Sequence, residues 1–188
     1  MKNEHKSPKR ILAFNPTAKY LGIAAFKGNE LIHWQIRKLR EKGKKQGELL
    51  AKTKRKIQEL LTDYEPEIVV IGHPTELQLK NSPFLKALLK GMRETVKGRN
   101  HLIVPLIEAR KFICRDVKPT KMNTAKIIAT LYCPWLYRRY EKELKKELEG
   151  QWWKRKYHTT LFDAIALGLY CYERFSRRVP SPPPKSKP

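Results

Sequence analysis

Apolar positions along the chain follow two periods, one short and one helical. Arg10–Phe14 (RILAF), Tyr20–Lys27 (YLGIAAFK) and Glu30–Ile36 (ELIHWQI) are strand-length runs, separated by tight turns at Asn15-Pro16-Thr17-Ala18-Lys19 and Gly28-Asn29. Three such runs with short connections predict an antiparallel meander. Leu49, Leu50, Ile57, Leu60 and Leu61 then recur at helical spacing and predict a helix over Glu48–Asp63, ended by Tyr64-Glu65-Pro66. Glu67–Ile71 (EIVVI) is a continuous apolar strand of the kind buried on both faces, broken by Gly72-His73-Pro74. Ser82 as cap and Pro83 in the first turn open a helix to about Lys97.

His101–Ile107 is a fifth strand, which Pro105 either places near an edge or ends early. A short helix, Glu108–Cys114, follows, then a helix capped by Asn123 and running to about Leu131. Trp135–Leu148 is helical up to Gly150, and a last, strongly apolar helix runs from His158 or Thr159 to about Arg177. Strands joined through helices run parallel. The expectation is therefore an α/β domain: a mixed five-stranded sheet, antiparallel meander plus parallel strands, flanked by helices. It spans residues 10–178, between a flexible basic lead-in (1–9) and a disordered, proline-rich tail (179–188).

Charge narrows the partner. The chain of 188 residues, enough for one core, carries 41 Lys+Arg against 18 Asp+Glu, a formal net charge of +23. A compact domain with that excess repels itself unless a polyanion neutralises it, which points to nucleic acid. Membrane is set aside: no apolar run is long enough to span a bilayer, and the basic stretches lack an opposed greasy face. Cys114, Cys133 and Cys171 form no CxxC pair, so neither a zinc ribbon nor a disulfide framework is indicated. The start, MKNEHKSPKR, lacks the apolar core of a secretory signal, and a cytoplasmic, nucleoid-associated setting is expected.

Four segments, in order, carry a resemblance: ILAFNPTAKYLGIAAF, YEPEIVVIG, KPTKMNTAKIIATL and FDAIALGL. Together they resemble the RuvC-like Holliday-junction resolvases of the RNase H-like superfamily. There the first strand reads ILGIDPG, an apolar strand ends in Glu, a basic loop leads into a helix, and a closing helix carries paired acids. The resemblance implies the RNase H-like sheet, and it places the family's metal-binding acids on Asn15, Gly72 and Asp163. A further acid, one turn earlier, falls on Thr160. Only Asp163 is a carboxylate. Two-metal phosphodiester hydrolysis needs anionic oxygens to hold two divalent ions against their mutual repulsion. A set of Asn, Gly, Thr and one Asp is poor in them.

Substitutes stand nearby. Glu76 lies just beyond the fourth strand and Glu108 at the end of the fifth, while His73 and His158 are candidate ligands or proton-transfer groups. Each has a plainer reading: solvated loop or helix-start acids, a turn histidine beside proline, a helix-start histidine. Asp163 interrupts an apolar run and is expected to face the site.

The binding surface is richer. Arg37 to Lys56 holds ten Lys/Arg against Glu41 and Glu48, with Arg37, Arg40, Lys44 and Lys45 in its loop half. Lys19 sits in the first turn. Lys118, Lys121 and Lys126 occupy the stretch where the resembled family contacts the backbone of DNA. Further on, Trp135, Tyr137, Arg138, Arg139 and Tyr140 are followed by Trp152, Trp153, Lys154, Arg155 and Lys156. Cations pair with phosphates and exposed rings stack on unpaired bases; the plainer reading packs Trp135, Leu136, Tyr140 and Leu144 inside a helix bundle.

Three functions follow. The first is a RuvC-like protein that binds branched DNA, or structured RNA, with catalysis reduced or lost. The second is an active junction endonuclease dependent on Mg²⁺ or Mn²⁺, using Asp163 and Asn15 as metal ligands with relocated Glu76, Glu108 or His158. The third is a structural subunit of a nucleoprotein complex. Resolvases act as dimers, because two strands need two sites, so the resemblance also implies a homodimer.

Overall fold

Residues 8–40, 43, 45–150 and 156–176 are described by the computed structural model. Strands β1 (Arg10–Pro16), β2 (Tyr20–Lys27), β3 (Glu30–Lys38), β4 (Ile68–His73) and β5 (His101–Pro105) form one sheet in the order β3-β2-β1-β4-β5. β1, β2 and β3 pair antiparallel, while β1–β4 and β4–β5 are parallel. The mixed sheet expected from the sequence is present, and β5, with Pro105 at its end, is an edge strand. The helices are α1 (Gln46–Tyr64), α2 (Glu76–Lys80), α3 (Pro83–Thr95), α4 (Leu106–Ile113), α5 (Lys121–Ile127), α6 (Tyr137–Leu148) and α7 (Lys156–Ser176).

Side-chain alternation along each strand sorts the core into two layers. Leu12 and Phe14 of β1 join Val69 and Ile71 of β4 beneath α1 and α3, with Leu60, Leu61, Leu88 and Met92. Ile11, Ala13, Ile68 and Val70 face the other way, against α4 to α7. The next residues of the same alternation are Asn15 and Gly72, so both face α7. They lie one step past the parallel pair Phe14–Ile71, at the carboxyl ends of adjacent strands. Open parallel sheets bind their ligands at that edge.

Two glycines let α7 press onto the sheet. A Cβ on Gly22 of β2 would stand 2.2 Å from the Thr160 carbonyl oxygen, and one on Gly168 of α7 would stand 2.1 Å from the Phe26 ring. Helix and strand backbones are therefore in direct contact at Gly22, and this sets how close Asp163 comes to Asn15. Gly22→Ala is expected to force α7 off β2 and lower stability by about 1–3 kcal/mol or more. A urea midpoint unchanged from the parent would contradict this packing.

Some elements differ from expectation. Thr120 rather than Asn123 caps α5: its hydroxyl accepts the Asn123 N–H at 3.1 Å, while the Asn123 amide donates to the Lys118 carbonyl. That helix then widens into a π turn, Ile128–Tyr132, closed by Cys133 N–H on the Ile128 carbonyl. Helix α2 was not expected, although Thr75-x-x-Gln78 is the sequence signature of the capping box that starts it. Ser82 caps α3 with Pro83 in the first turn, as read from the sequence. Of the basic lead-in, Pro8 is buried and the Lys9 N–H donates to Glu67. Residues 1–7 and the proline-rich tail lie outside the described residues.

Candidate functional site

Helix α7 lays Asp163 against the carboxyl ends of β1 and β4. Asn15 is fully buried there, and its Nδ2 donates to the Thr160 carbonyl at 3.1 Å and, at a long 3.5 Å, to Asp163 Oδ2. The two acceptors dictate that orientation of the amide. Its Oδ1 then turns toward Gly72 and has no hydrogen-bond partner among the described residues. Gly72 contributes no ligand, and the space a side chain would need is taken: a Cβ would meet Leu167 at 2.9 Å and Leu106 at 3.1 Å.

The decisive neighbour of Asp163 comes from α4. Arg110 grips the carboxylate with both prongs of its fork, Nε to Oδ1 at 2.8 Å and Nη2 to Oδ2 at 2.7 Å. The Asp163 side chain is 3% exposed and that of Arg110 15%. Burial on its own would pull the Arg110 pKa down, but the hydrogen bonds and charge of Asp163 outweigh it and raise the pKa. The guanidinium is therefore permanently charged, and the pair is a neutral, bidentate unit.

That arrangement does not suit the metal chemistry implied by the resemblance. Asp163 has both oxygens engaged, Asn15 turns N–H groups rather than an oxygen toward it, and Gly72 is walled by leucines. Among the described residues no three His, Cys, Asp or Glu side chains cluster closely enough to hold a metal ion. The Asn15 amide donates to the Thr160 carbonyl and to Asp163, and so complements a carboxylate already paired with Arg110.

Beyond Arg110 and Asp163 opens a cavity of about 490 Å³, lined also by His73, Glu76, Thr17 and Lys121. A second cavity of about 290 Å³ shares Thr17, Gln78 and Lys121 with it and reaches Lys19 and Thr160. Together they form one groove along the carboxyl edge of the sheet. Among the candidate catalytic residues, then, the fold sets Asn15 in contact with Asp163 and places Glu76 on the wall of the cavity that Asp163 also lines.

Glu108 and His158 lie elsewhere. Glu108 accepts from the Tyr170 hydroxyl at 3.2 Å. His158 Nδ1 lies 2.6 Å from Glu143 Oε1, which Lys146 also approaches at 2.9 Å, in a buried cluster between α6 and α7. Sequence reasoning missed Arg110. The available signal was indirect: a lone buried carboxylate requires a counter-charge, but nothing in the pattern says which cation supplies it.

Lys19, Arg40, Lys45, Lys118, Lys121, Lys126 and Arg138 are exposed, and Arg37 is half-buried. Arg139 stacks on Trp34 at 4.1 Å from the ring centroid, which ties α6 to β3. Leu136 and Tyr140 pack inside, whereas Trp135 is 61% exposed and Leu131 and Tyr137 are also exposed. Lys156 opens α7; Lys44, Trp152, Trp153, Lys154 and Arg155 lie outside the described residues.

With sheet order, helix layers and edge site in place, the fold is RNase H-like, as in the solved structures it resembles. Thermus thermophilus RuvC in complex with a Holliday junction substrate aligns over 91% of this chain and 96% of its own, with a TM-score of 0.57 and 16% identity. A further Thermus thermophilus RuvC structure gives a TM-score of 0.57 and 17% identity over 90% and 95% of the two chains. The yeast mitochondrial Holliday junction resolvase Ydc2 aligns over 89% of this chain and 80% of its own, with a TM-score of 0.53 and 13% identity. No protein-family model and no curated protein matches the sequence. At such identities the likeness is one of fold.

Proposed function

We propose that the protein binds branched nucleic acid on a RuvC-like scaffold, four-way DNA before structured RNA, and that it has set aside two-metal cleavage. The observation that carries this reading is the bidentate hold of Arg110 on Asp163. It ties up the one carboxylate at the family's acid positions, with Asn15 and Gly72 at the others. The formal charge of +23 and the exposed cations beside the groove support backbone recognition. The fold neighbour that holds a Holliday junction supports a junction as ligand.

Glu76 and His73 line the same cavity as Asp163, which favours the endonuclease as the second reading. A labelled four-way DNA junction, incubated with the purified chain and Mg²⁺ or Mn²⁺, separates the two. The expected outcome is a retarded complex with intact strands, and weaker retention of linear duplex and of a folded RNA. Metal-dependent cuts that Asp163→Asn abolishes would replace this reading with the endonuclease.

A further inference from the structure

The groove contains a cation of its own. In a two-metal site divalent ions link protein carboxylates to a phosphate oxygen of the strand. Here the element touching Asp163 is the Arg110 guanidinium, and it lines the 490 Å³ cavity. A guanidinium has five N–H donors. Asp163 takes two of them, and no other protein group among the described residues accepts from the rest. The carboxylate fixes the plane of the fork, so its remaining donors are held in one orientation without further loss of side-chain freedom.

We propose that Arg110 contacts a backbone phosphate of the bound nucleic acid, the guanidinium standing in for the divalent ions. Asp163 is then a positioning residue, and strand recognition at the sheet edge needs no metal. Planar N–H pairs match the oxygens of a phosphodiester and hold their charge at every working pH. Lys121, on the wall shared by both cavities, and Lys19 at the far end of the groove extend a positive track from that point. Glu76 also lines that cavity, and its negative charge disfavours a second anion close to it.

The inference rests on the nucleic-acid reading above. Its test separates direct contact from general electrostatics. Arg110→Ala strands a buried carboxylate, so the informative protein is the double variant Arg110→Gln with Asp163→Asn. It keeps the shape of the pair and leaves the net charge of the chain unchanged. Binding of a fluorescein-labelled four-way junction is measured in EDTA across a salt series, with urea unfolding as the control for fold.

The double variant is expected to bind about tenfold more weakly with little change in the slope of log affinity against log salt, because the pair it replaces is neutral as a whole and contributes oriented hydrogen bonds rather than net charge. A folded double variant with the affinity of the parent overturns the role of Arg110 while leaving nucleic-acid binding standing. A parent protein that binds no junction overturns both.

Discussion

Arg110→Ala is expected to destabilise the folded chain by about 3–5 kcal/mol, the cost of leaving one partner of a buried ion pair alone. Asp163 is 3% exposed and, among the described residues, would keep only the Asn15 amide at 3.5 Å as side-chain donor. A charge so placed loses its counter-ion, and only water entering from the adjoining cavity is left to compensate it. Asp163→Asn added to the same chain removes that charge and should return most of the loss, because neutral groups of similar volume tolerate the site. Urea unfolding with a shared m-value reads both numbers. An alanine variant within about 1 kcal/mol of the parent would mean that water from the cavity or another cation replaces the guanidinium, and that Arg110 is not needed to hold the buried charge.

The second large effect is ionic. Lys19, Arg40, Lys45, Lys118, Lys121, Lys126 and Arg138 are exposed on the described surface. If about six of these neutralise phosphates, affinity for a four-way junction should fall on the order of 10³-fold between about 50 and 200 mM salt. The fall should be similar whatever the base sequence of the arms, since phosphate contacts carry no sequence information. A log–log slope shallower than about −2 would show that cations supply little of the affinity. The basic surface would then serve another purpose.

These expectations differ in how directly the sequence supports them. The meander, the buried run of β4 and the edge position of β5 follow from alternation, apolar continuity and Pro105, all local signals. Cap positions were legible where the hydroxyl stood alone, as at Ser82, and misread where Thr120 and Asn123 competed three residues apart. Asn15 and Asp163 were both singled out from a resemblance, and the fold sets them in contact across 148 positions of sequence. Glu108 and His158 were equally plausible as one-dimensional candidates, but helix rotation turns them to Tyr170 and Glu143.

By itself, the order of residues determined the strand and helix succession, the two-faced sheet and the net positive charge, because periodicity acts over a few neighbouring positions and charge is set by composition. It also determined that an amide, a glycine and one acid stand at the resembled family's acid positions. Only tertiary structure decided what those residues do together. The approach of α7 at Gly22, the leucines over Gly72 and the Arg110 fork on Asp163 are distance relations between segments far apart in the chain. A buried carboxylate is a metal ligand or half of an ion pair according to which cation the packing brings within about 3 Å, and no local pattern encodes that choice.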